Sequence, residues 1–115
     1  MDVRRMQKLV VAALEDIKAR DIEVFNVTRL TALFDRVIIA SADSTRQVKA
    51  LARSVHDKLK EAGIDAIGVE GEDTGEWVLV DVGAIVVHIM QPAVRSHYNL
   101  EELWGSEARR TRRAA

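Results

Sequence analysis

The chain has 115 residues, 48% of them hydrophobic and 30% charged, which is the usage of one folded domain rather than of a disordered or membrane-spanning polypeptide. Lys and Arg number 17 against 18 Asp and Glu, a net charge of −1, so no global excess marks a nucleic-acid partner. There is no cysteine, which excludes disulfides and thiolate metal sites and agrees with a reducing, cytoplasmic location.

Val3, Met6, Val10, Ala13 and Ile17, joined by Leu9 and Leu14, recur at helical spacing with charges opposite, so residues 2–20 are predicted to form an amphipathic helix. Glu15 and Asp16 interrupt its apolar stretch and no small-residue cleavage site follows, so it does not read as a signal peptide. No run anywhere reaches the roughly 18 apolar residues of a membrane span. The segments DIEVFNV (21–27) and DRVIIAS (35–41) are strand-like by β-branched content, with TRLTALF between them as an irregular connection. Ser44 then precedes a second helix, with Gln47 three residues on as a capping box. Val48, Leu51, Ala52, Val55 and Leu59 share one face of that helix, and Gly63 is its stop. A short strand near AIGVE (66–70) follows, and this strand, helix, strand order predicts a right-handed crossover onto a parallel neighbour.

After the polar loop GEDTGE comes WVLVDVGAIVVHI (77–89), two strands joined at a glycine. A two-residue turn at Gly83-Ala84 suits type II′ and sets Val82 opposite Ile85. One face is then Val78, Val80, Val82, Ile85, Val87 and Ile89, wholly aliphatic, and the other is Trp77, Leu79, Asp81, Val86, His88 and Met90. In this register Asp81 lies diagonal to His88, roughly 7 to 8 Å away, within reach of long side chains or one bridging water. The residues leave three roles open for that pair: a structural polar pair that orients the hairpin, part of a binding face with Trp77, or catalysis. Pro92 closes the last strand, and Asn99 is predicted to cap a final short helix with Glu102 at its third position and Tyr98 stapled onto Leu103.

The parts that would support catalysis are missing: there is no GxSxG elbow, no P-loop lysine and no GxGxxG between strand and helix. GVEGEDTG has glycines at the wrong spacing, and His56, His88 and His97 are too scattered for a metal site. Neither catalytic residues nor a cofactor are therefore expected. Arg46, Lys49, Arg53 and Lys60 form one stripe of the second helix, either a solvated face or a contact for RNA phosphate. Residues 105–115 carry Arg109, Arg110, Arg112 and Arg113 without apolar periodicity and are expected to be a disordered basic tail beyond a domain of residues 1–104.

The run EGEDTGEWVLVDVGAIVVHIMQPAVRSHYNLEELW (70–104) closely resembles the ribosomal silencing factor family (RsfS, also called Iojap). It has a Trp before a strand ending in Asp, a second strand ending in His, then Arg, Tyr and the LEELW terminus, in the family's order. Upstream, FDRVIIASADSTRQV resembles the family's aspartate-led strand and following helix, so the likeness covers nearly the whole chain to Trp104. Ala42, where a glycine is usual, and His97, where a larger apolar or aromatic residue is usual, depart from it.

The resemblance implies an α/β (α+β) fold, a mixed sheet flanked by helices of the nucleotidyltransferase-like type without catalytic residues. ASADST agrees, offering neither the Gly-Ser element nor the alternating carboxylates of polymerising members. It further implies binding to the large ribosomal subunit through ribosomal protein fourteen, which blocks joining of the small subunit when nutrients are scarce, with a role in large-subunit maturation. The expected partner-binding residues are Trp77, Leu79, His88, Met90, Arg95, Tyr98, Asn99 and Leu100, with Arg46, Lys49 and Arg53 as candidates for rRNA contact and a homodimer as a candidate state off the ribosome. A residual nucleotide-binding enzyme and an RNA-binding module are the alternatives.

Overall fold

Asp2 opens the first helix, α1 (Val3–Asp16), by accepting a hydrogen bond from the Arg4 backbone N–H at 3.2 Å, and Met6, Val10, Val11, Ala13 and Leu14 form its buried stripe. The helix stops at Asp16 rather than 20. Lys18 turns left-handed (φ 60°), and the N–H groups of Lys18 and Ala19 fold back onto the carbonyls of Glu15 and Leu14. This is the Schellman closure usually supplied by glycine, made here by a lysine. The computed structural model describes the backbone of residues 2–105 and 109–113 and the side chains of residues 2–104.

Strand β1 (Arg20–Asn26) pairs antiparallel with β2 (Arg36–Ser41), apart from a bulge beside Asp21 (φ 50°). The connection between them tucks Leu30 and Phe34 against the sheet. In α2 (Thr45–Glu61), Ser44 Oγ accepts the Gln47 N–H at 3.1 Å as predicted. The Gln47 side chain returns to the Asp43 N–H, not that of Ser44, and its amide also donates to the carbonyls of Ile17 and Lys18. The cap of α2 is thereby tied to the end of α1. Gly63 (φ 83°) closes α2 as expected.

Three strands follow: β3 (Gly68–Glu70), β4 (Trp77–Asp81) and β5 (Ile85–Met90). The β4–β5 hairpin has the predicted register, with Asp81 opposite Val86, Leu79 opposite His88 and Trp77 opposite Met90. Its turn is closed by Val82 N–H to Ile85 O at 3.0 Å, with Gly83 at φ 87° in the position where a type II′ turn requires it. The crossover differs from expectation. The parallel neighbour of β2 is β5, while β3 lies at the sheet edge beyond the hairpin, in the order β3-β4-β5-β2-β1-β6. The aliphatic β5 takes the central place, leaving the short, half-exposed β3 at the rim.

The last helical segment is two helices, α3 (Pro92–Tyr98) and α4 (Leu100–Gly105), divided at Asn99, which sits left-handed at φ 47° as the end of α3. Its side-chain amide donates to Glu102 at 2.9 Å instead of capping a backbone N–H. Leu103 is 67% exposed and the expected staple gives way to a tilted ring contact of Tyr98 with Trp77. The backbone of Arg109–Arg113, β6, pairs antiparallel with β1, a pairing that uses main-chain groups and needs no apolar pattern, and residues 106–108 and 114–115 of the expected tail lie outside the described residues.

One face of the sheet, with Ile22, Val24, Ile38, Ala40 and the aliphatic side of the hairpin, is sealed by α1 and α2. On the other face Phe25, Val27, Val37, Ile39 and Met90 are covered by Leu30, Phe34, Val94, Leu100 and Trp104. The radius of gyration is 12.8 Å. Among the described residues no helix is long and apolar enough to cross a membrane.

Candidate protein-binding surface

The second face is sealed over β1 and β2 but only half covered over the hairpin, where Trp77, Leu79, Asp81, Val86 and His88 remain partly accessible. Trp77 anchors this surface. Its ring centroid lies 4.8 Å from that of Tyr98 and 5.8 Å from that of His88, and its indole N–H donates to His88 Nδ1 at 3.0 Å. Tyr98 is 56% exposed, so β4, β5 and the end of α3 together make an aromatic platform that solvent reaches. Gly71, at φ 91°, keeps its loop close beneath this edge: a Cβ there would stand 2.0 Å from the Trp77 carbonyl oxygen.

Asp81 and His88 are not a pair. Asp81 Oδ1 accepts the Gly83 N–H at 2.9 Å and pins the turn, while His88 is engaged by Trp77. The diagonal register holds, but each side chain finds a closer partner, which removes the proposed Asp–His couple. Burial lowers the His88 pKa from 6.5 to about 4, so the ring is neutral at physiological pH.

Two of the expected contact residues are internal. Met90 is fully buried among Phe25, Val27, Val37 and Ile39, because α3 begins at Pro92 and folds back over the end of β5. Arg95 is 8% exposed. Its Nη1 donates to the Asp21 carbonyl at 2.7 Å and to Ser41 Oγ at 2.8 Å, its Nε donates to Glu101 at 3.0 Å, and buried Glu23 lies 3.6 Å from Nη2. A guanidinium takes this place because it alone offers several donors in one plane to two carboxylates, a hydroxyl and a carbonyl. The network straps α3 and α4 to β1 and β2. Sequence reasoning passed over Glu23, Ser41 and the Asp21 carbonyl; a glutamate amid the apolar core positions of β1 was the available signal.

Leu79 and His88 stay on the platform, Asn99 is exposed at its border, and Leu100 is half-buried where α4 meets the second core. Arg46, Lys49 and Arg53 are exposed along α2, next to the opposite face of the sheet. Among the described residues no three His, Asp or Glu side chains gather to hold a metal ion.

The fold defines a mixed α/β domain with one helix-sealed sheet face and one face bearing a partly open aromatic platform. The chain belongs to the ribosomal silencing factor family: residues 1–114 match the family described as ribosomal silencing factor during starvation. It is 56% identical over 107 residues to ribosomal silencing factor RsfS of Chromobacterium violaceum, covering 93% of this chain and 88% of that one. A crystal structure of a Chromobacterium violaceum protein superimposes with a TM-score of 0.90 at 56% identity, covering 93% of this chain and 89% of the other. A more distant relative, mitochondrial assembly of ribosomal large subunit protein 1 of Mus musculus, is 34% identical over 99 residues, which are 84% of this chain and 43% of that one.

Proposed function

We propose that the chain silences translation by binding the large ribosomal subunit through ribosomal protein fourteen, standing where the small subunit would join and performing no chemistry. The observation that carries this is the Trp77–Tyr98 platform: two aromatic rings in contact at 4.8 Å, open to solvent and backed by an ordered sheet. Rigid aromatic anchors of this kind are what protein interfaces use for most of their binding energy. Leu79, His88, Asn99 and Leu100 extend the surface, whereas Met90 and Arg95 hold it from behind. The extents of 34 × 34 × 25 Å support a steric reading, since a body this thick would hold two subunit surfaces apart.

A role in large-subunit maturation accompanies this reading, supported by the name of the mouse relative, which places that protein in large-subunit assembly. A second contact is favoured by Arg46, Lys49 and Arg53, exposed cations that make no ion pair among the described residues and are suited to rRNA phosphate. The test is a density-gradient assay of subunit joining with added protein. Co-sedimentation with large subunits and a fall in joined ribosomes are expected; binding without any fall in joining would refute steric exclusion.

A further inference from the structure

The platform contains one polar group that aromatic packing does not explain. His88 sits between Leu79 on β4 and Ile39 on β2, on the same face as Trp77. Its Nδ1 is committed as the acceptor of the Trp77 indole N–H at 3.0 Å, so the neutral ring carries its proton on Nε2. Nε2 makes no hydrogen bond among the described residues, and it is not one of the buried polar atoms left without a partner, so it reaches the surface.

This arrangement restricts what the ring can recognise. A neutral imidazole ordinarily offers one donor and one acceptor, but Trp77 occupies the acceptor and leaves only the outward N–H. Lysine, arginine and main-chain N–H groups of a partner would meet a donor and be rejected, whereas an oxygen would be received. Because the ring is uncharged, with Leu79 beside it and Trp77 behind, an uncharged oxygen is matched without a buried ion pair.

Building on the docking face proposed above, we propose that His88 is the polar specificity determinant of that face: its Nε2–H receives a neutral oxygen acceptor of the partner protein, a main-chain carbonyl in chemical class, while Trp77 fixes the ring in the required tautomer. His88 thus gives register to a platform whose aromatic contacts alone would tolerate sliding.

Two substitutions separate the ring's two nitrogens. His88→Gln places an amide near the position of Nε2 and keeps an outward donor. His88→Asn ends near the position of Nδ1, keeping an acceptor for Trp77 and losing the outward donor. Titrating purified large subunits with the full chain, Asn should weaken binding roughly tenfold, the cost of leaving one interface acceptor unpaired, and Gln by less than about threefold. In the wild-type chain, long-range ¹⁵N–¹H correlation spectra at neutral pH should show Nε2 protonated and Nδ1 bare. Equal losses in the two variants, no loss in either, or a ring protonated on Nδ1 would each overturn the proposal. The spectroscopic arm holds even if a variant fails to fold. A wild-type chain that does not bind large subunits would overturn the docking face and this inference together, whereas wild-type binding with indifferent variants would sink the inference alone.

Discussion

Replacing His88 by Gln should flatten the dependence of stability on pH. The folded-state pKa of about 4 lies below the ordinary 6.5, so between these values the unfolded chain takes up a proton that the folded chain refuses. The contribution of the neutral ring is therefore complete above 6.5 and declines as the pH falls through the window toward 4. The whole shift corresponds to at most about 3 kcal/mol, of which about 2 kcal/mol is lost between ~pH 7.5 and ~pH 5. Urea unfolding followed by far-UV circular dichroism at those two pH values measures the loss in each protein. His56, His97 and the carboxylates are common to both chains, so the wild-type loss minus the variant loss isolates His88. A wild type and a variant that lose stability equally would show that the ring protonates inside the folded chain and that its place between Leu79 and Ile39 does not keep it neutral.

Removing the strap should be costly: Arg95→Ala leaves Glu23 and Glu101 beside a buried void without their cation, and thermal or urea unfolding should show a loss of about 3 to 5 kcal/mol. A loss below about 1 kcal/mol would mean the network is no better than an exposed ion pair. Trp77→Ala or Tyr98→Ala, with folding checked by circular dichroism, should weaken large-subunit binding roughly 30-fold in a co-sedimentation titration. Arg46→Ala combined with Arg53→Ala should lower the steepness of the salt dependence of that binding by about 1 to 2 log units per log unit of salt; an unchanged slope would remove rRNA from the α2 stripe. Deleting residues 106–115 removes the β6 ladder from the edge of β1, so urea unfolding should stay cooperative at a modestly lower midpoint, and affinity should change by less than about tenfold at physiological salt, as screened arginine contacts do.

What could be read from the sequence was whatever a local period or a local turn decides. The hairpin register followed from one glycine and an alternation of aliphatic residues, so both its faces and the pairing of Leu79 with His88 were legible. The Ser44 cap and the Gly63 stop were legible for the same reason. The end of α1 was not, because Lys18 makes a closure that only tertiary contacts can hold in a residue with a Cβ, and Gln47 of the next helix supplies some of them. The place of β3 was also hidden: strand order depends on which strand is most fully apolar on both faces, a competition among segments that no single window contains.

Arg95 marks the sharper limit. Between Val94 and Ser96 on a short helix it reads as a surface cation, and as an interface anchor once an aromatic neighbour is noticed. Its fate is decided by a carbonyl 74 residues away, turned inward by the left-handed Asp21, and by a hydroxyl on β2. Those groups need a donor that can serve several acceptors at once, and Arg95 is the cation that α3 carries over them. The consequence bears on function. With Arg95 and Met90 inside, the platform is narrower than the sequence suggested, and the arginine acts on it by fixing α3, hence Tyr98, against Trp77. An Arg95 variant that weakened ribosome binding would therefore be read correctly only beside its stability: if binding falls in proportion to unfolding, Arg95 positions the surface, whereas a loss of affinity in a fully folded variant would return it to the interface.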